Sequence, residues 1–217
     1  MDTIRDWTET MRAAGVRFLP GLTEEELCRA EGLYGIRFPV PLRALLAAGL
    51  PCAWDREYGV PMSEEQKAAM FPRWNDFTPS NVTRLRGRLA EPILWLRRDV
   101  TAGGFWVRTW GDRPTDPDAA AERFDRLAEE APRLIPLSGH RYVPSLSSAV
   151  PDDPPVFSSV GRDTIRYGAD FGEWIGLEFR EGAKKTTDGG MTIPFWDEVV
   201  GENHLRAEKA RMARRRV

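Results

Sequence analysis

His140 is the one histidine in the body of this chain. An imidazole titrates near neutrality and serves as general base or metal ligand when a second ligand or a nucleophile stands at the right spacing. Its neighbours are Gly139, Arg141 and Tyr142, and no cysteine or second histidine lies at ligand spacing. That pattern reads as a hydrogen-bonded structural turn. The carboxylates Asp152, Asp153, Asp163, Asp170, Glu173 and Glu178 are near enough in sequence to pair for acid/base work. Local structure accounts for them instead. Asp152 and Asp153 lie between prolines, Asp163 closes a Gly-Arg turn, and Asp170 with Glu173 opens a helix whose dipole favours acids. Serines are plentiful, but no G-x-S-x-G elbow, P-loop or G-x-G-x-x-G run occurs, and Gly103-Gly104 and Gly189-Gly190 read as turns. The expectation is a protein with no catalytic residue, no metal and no cofactor.

The elements that hold these residues follow from apolar period and breakers. Leu134 to Leu137, Val156 to Val160 and Thr164 to Tyr167 are short apolar runs between Pro, Gly and Asp, and Ala169 to Phe179 has a helical pattern. Upstream, Ile4, Trp7 and Met11 space a short amphipathic helix over Thr3 to Ala14. Thr23 with Glu26 forms a capping box flanked by Leu22 and Leu27, the helix ends at Gly35, and Pro39 and Pro41 start a second helix with Leu42, Leu45 and Leu46 inward. Ser63 with Gln66 caps a brief third helix, whereas MFPRWNDFTP holds too many breakers for regular structure. Ser80 to Leu89 reads as a helix, after which ILWLRR and FWVRTW read as two strands joined across Asp99 to Gly104. Asp116 and Pro117 open a helix that stops before Pro132. Gly182 to Gly190 is a polar hairpin-like loop, IPFWDEVV a last strand or helical turn, and NHLRAEKARMARRRV a solvated helix. These elements predict an α+β domain that opens with an N-terminal helical pair.

Totals narrow the classes. Eight Trp and ten Phe in 217 residues make an aromatic-rich core. Each buried Trp is worth roughly 4–6 kcal/mol gross at about 25 cal/mol per Å². The net charge of -2 divides into +4 over Glu202 to Val217 and -6 elsewhere, so the molecule as a whole is no generic nucleic-acid binder. Cys28 and Cys52 lie in segments that read as internal, as free thiols in a reducing compartment. No apolar run approaches the ~20 residues of a membrane span and no signal pattern opens the chain, which gives a cytoplasmic expectation with no membrane partner.

Two stretches resemble a known family. GLTEEELCRAEGLYGIRFPVPLRALLAAG is similar to the opening of the SUKH superfamily, in which a capped helix ends in a Gly-Ile-x-hydrophobic-Pro step and a Leu-rich helix follows. PLSGHRYVPS and PPVFSSVGRDTIRYGADFGEWIGLEF resemble the closing half of a bacterial branch, and FWVRTWGDRP its middle. The chain departs from that branch at Gly161-Arg162, where a polar, amide-bearing step is usual. With an N-terminal helix over 1–20 and a basic tail over 202–217 expected outside it, the resemblance implies a SUKH-like domain over 21–201, a single α+β domain with a twisted, mainly antiparallel sheet flanked by helices. It also implies a protein-binding module without cofactor or catalytic residues. Bacterial members look like immunity proteins that neutralise a cognate toxin domain; fungal members act as cell-wall assembly regulators and interaction scaffolds. The expected function is accordingly a cytosolic immunity protein whose partner is a toxin domain, the alternative being a scaffold in envelope or stress regulation. Aromatic and Arg residues dominate protein interfaces, which nominates Trp54, Tyr58, Arg73, Trp74, Trp110, Arg141 and Tyr142 as partner-binding anchors.

Overall fold

The computed structural model describes residues 2–55, 61–147, 153–185 and 190–214. Helix α1 (Asp2–Ala13) leads into β1 (Val16–Leu19), then α2 (Glu24–Tyr34), α3 (Val40–Ala48) and β2 (Leu50–Trp54). β1 and β2 pair antiparallel as a ribbon that the sequence reading does not contain. The helical pair forms as expected. Thr23 Oγ1 accepts from the Glu26 amide and Glu26 Oε2 accepts from the Thr23 amide, while Gly35 ends α2 with φ +61°. Thr23→Ala should therefore lower stability by about 1 kcal/mol, measured by urea denaturation. Gly21 is fixed by proximity, because a Cβ there would stand 1.9 Å from the Ala47 carbonyl oxygen.

Helix α4 (Glu64–Ala69) carries its Ser63–Gln66 capping box, and the segment after it is irregular up to α5 (Pro79–Thr101). Here the expected pair of strands is wrong. Residues 93–101 continue one 23-residue helix through Pro92, and Phe105 to Trp110 is an irregular segment ending in a 3-10 turn, Arg108–Trp110. The reason is visible in the spacing: Leu85, Leu89, Pro92, Leu96 and Val100 recur at four, three, four and four residues, a single inward stripe. Proline gives up one helical hydrogen bond, which burial of the stripe outweighs.

After α6 (Pro117–Glu129) come β3 (Leu134–Pro136), β4 (Arg141–Pro144), β5 (Val156–Val160) and β6 (Asp163–Gly168), an antiparallel sheet in that order. The three expected strands are present. The fourth, β4, occupies what reads as loop, turning back at Gly139 with φ +49°. Side chains alternate across this sheet as a period of two requires. Ile135, Val143 and Val156 enter a core with α1, α2, α3, the ribbon and α7 (Phe171–Phe179). Leu134, Tyr142 and Phe157 enter a second core with the end of α5, Phe105, Trp110, α6 and the start of α8 (Trp196–Arg214). Burial on both faces explains why β3 is apolar along its whole length, whereas β6 alternates buried and exposed positions. Helix α8 takes in Trp196 to Val200 of IPFWDEVV and the basic tail as far as Arg214. Trp196, Val199 and Val200 are buried, residues 207–214 are exposed, and Asn203 Nδ2 donates to the Arg162 and Thr164 carbonyls along β6. Cys28, expected inside, is exposed on α2 one position past the inward Leu27, while Cys52 is half-buried in β2; both are free thiols.

Candidate functional site

The nominated anchors do not share a surface. Trp54, Trp74 and Tyr142 are 1% exposed and Trp110 is 5% exposed. Trp54 donates its indole N–H to the Ala14 carbonyl at 2.9 Å, and its ring lies 4.8 Å from Phe179. Trp110 stacks on Phe195 at 5.4 Å in the second core. Large rings remove the most apolar area from water when buried, and two cores are available to take them. Arg73 is exposed, although its carbonyl accepts from Asn81. Tyr58, Asp152 and Gly189 lie outside the described residues.

Arg141 is the centre of a dense polar group on the sheet. Its Nε donates to Glu178 Oε2 at 2.7 Å, its Nη1 donates to Ser158 Oγ at 2.9 Å, and its guanidinium lies 3.7 Å over the Tyr167 ring. Register explains the convergence: Arg141 is opposite Ser158, Ser158 is opposite Ile165, Tyr167 lies on β6, and α7 delivers Glu178. The ion pair neutralises itself, and Ser158 faces a cation instead of a base. His140 is exposed at the turn beside this group. Partial desolvation and then the Arg141 cation hold its pKa below the usual imidazole value. Among the described residues no group of three or more His, Cys, Asp or Glu is placed to hold a metal ion.

Tyr142 lies on the opposite face, its hydroxyl 3.4 Å from Glu91 Oε2. Burial, reinforced by Glu91 and opposed by Arg88, pushes its pKa up to about 12. The folded state therefore keeps a proton that the unfolded state releases from its ordinary 10.0, so this stability is present below pH 10 and lost as pH rises towards 12. The loss should reach about 2–3 kcal/mol. Urea melts across that range should show a flatter decline for Tyr142→Phe than for the wild type.

The surface feature that sequence reading missed is a groove of about 850 Å³ between α2, α5 and the end of α6. Leu33, Leu89, Ile93, Leu94, Ala128 and Ala131 line it, with Arg86, Glu129 and Arg133 among them. Leu94 is 55% exposed. The available signal was the run ILWL, which carries more apolar residues than one inward stripe of α5 can bury. Reading it as a strand hid that surplus. Among the described residues no helix is long and apolar enough to cross a membrane. No protein-family model, curated protein or solved structure matches this chain.

Proposed function

We propose that this chain is a non-enzymatic protein-binding domain, a cytosolic immunity protein that neutralises a cognate bacterial toxin through the α2–α5–α6 groove. The observation that carries the reading is the groove itself: an open, mainly apolar channel with a leucine left more than half exposed at its wall. Apolar area kept in water on a folded protein costs free energy that a partner recovers by covering it. The opening and closing motifs of the resembled family give the reading its immunity side, and the internally neutralised Arg141 group is consistent with a protein that binds and does not turn over a substrate.

The test begins with affinity purification of the tagged chain from its native cells through a high-salt wash. One stoichiometric partner that arrests growth when expressed, and whose arrest this chain relieves, supports immunity. Several substoichiometric envelope proteins would move the assignment to the scaffold. Leu94→Glu should weaken the recovered complex at least about tenfold, roughly 1.4 kcal/mol, by isothermal titration. Its thermal midpoint should stay close to wild type, since Leu94 contributes little to either core.

A further inference from the structure

We infer that the groove accepts an amphipathic helix of two to three turns whose flanking positions are acidic. The inference rests on the groove being the partner site, and it adds what chemistry the partner must present.

Length comes from α5. Arg86 and Leu94 both line the groove, and the nine residues they bound span about 12–14 Å at 1.5 Å per residue, two to three turns of a facing helix. Secondary structure comes from the walls. Helices α2 and α6 hold their backbone in helical hydrogen bonds, as α5 does apart from the one given up at Pro92, and β3, the nearby edge strand, is three residues long, fully buried and packed against α5. No strand can add there, so recognition runs through side chains, as when an apolar helical stripe is laid into a groove.

Charge comes from the rim. Arg86 is exposed and pairs with no carboxylate among the described residues. Arg133 is exposed too, and its Nη1 donates to the Tyr34 carbonyl at 2.8 Å, a neutral acceptor that leaves its charge uncompensated. Glu129, on the last turn of α6, is the one carboxylate of the lining. Tyr34, also in the wall, is 4% exposed and its hydroxyl is buried without a hydrogen-bond partner. A carboxylate seated at Arg86 supplies the missing counter-charge, and an arginine–carboxylate bond is among the stronger contacts an interface can hold. A lysine-flanked helix would instead meet two unpaired cations, so the rim discriminates by repulsion as well.

The probe is a displayed library of amphipathic helices of about 16 residues. Their leucine stripe is fixed and their flanking positions are drawn evenly from Glu, Lys and Ser. The library is panned on the full-length wild type, on Arg86→Glu, on Arg86→Glu/Arg133→Glu and on Leu94→Glu, with circular dichroism midpoints taken for each. The wild type should enrich Glu at the flanks and the double variant should enrich Lys. Leu94→Glu should enrich nothing. The best acidic peptide should bind Arg86→Glu at least about tenfold more weakly than the wild type. Arg86→Glu alone suffices if removal of the Arg133–Tyr34 bond unfolds the double variant. Enrichment on the wild type without acidic bias, an acidic bias that survives charge reversal, or enrichment no better than on Leu94→Glu would overturn the inference. A toxin whose binding needs Leu94 but no acidic helix would leave the immunity proposal standing and remove this one alone.

Discussion

Trp74→Ala should destabilise the fold by about 3–5 kcal/mol, the range for truncating a fully buried aromatic ring. For a chain of 217 residues that corresponds to a drop in thermal midpoint on the order of 10 °C. The ring is 1% exposed and is held edge-on by Tyr34 at 5.6 Å and Phe38 at 5.1 Å. It also borders a small void lined by Leu45, Phe71, Leu137 and Trp174, so its removal enlarges space that the surrounding chain already fails to fill. Both features place the expected loss in the upper part of the range, because cavity terms add to the transfer term. Trp74→Phe, which keeps an aromatic face for Tyr34 and Phe38, should retain more than half of the lost stability. The alternative role, a surface anchor, predicts an unchanged midpoint with weakened partner binding, and differential scanning calorimetry separates the two. Sequence alone leaves both open: Arg73, Trp74 and Phe77 have the composition of an interface and the breakers of a loop. Burial decides it.

What sequence shows here is local order with short-range causes. The capping boxes at Thr23 and Ser63, the Gly35 stop and the helix from Phe171 to Phe179 are all set by residues within a turn or two, and each forms where its residues place it. The misreading of α5 comes from weighting Pro92 and the aliphatic run above the four-residue spacing on both sides of it. A proline excludes a helix only where its missing hydrogen bond outweighs burial, and here Leu96 and Val100 are fully buried beyond it. The β1–β2 ribbon joins segments more than thirty residues apart, so no local pattern announces it. The site was less legible than the fold. A groove exists only once α2, α5 and α6 pack, and its diagnostic residue, Leu94, looks like any other helix aliphatic until its exposure is known. Aromatic content pointed to the cores instead.

Arg141→Met should cost about 3 kcal/mol and leave partner binding intact, which would mark the polar group on the sheet as a structural clamp. The size follows from burial. Arg141 and Glu178 side chains are 13% and 7% exposed, so removing the cation leaves a carboxylate in surroundings that solvate it poorly. The Tyr167 ring loses its cationic partner at the same time, and Ser158 Oγ loses its donor. Arg141 keeps part of its side chain in water, so the loss falls at the lower end of what broken buried pairs show. Arg5→Ala is the control: its partner Glu9 lies one turn along α1, both side chains are more than half exposed, and the melt should scarcely move, with any shift fading as salt rises. The double variant Arg141→Met/Glu178→Met should recover about 1–3 kcal/mol relative to the sum of the two single changes, since neither charge is then stranded. Urea melts at low and high salt complete the cycle. A small, salt-sensitive effect of Arg141→Met would mean that the pair is solvated and available to a ligand. A large, salt-insensitive one fixes it as the link that ties β4, β5 and β6 to α7, and leaves the α2–α5–α6 groove as the surface on which recognition has to be built.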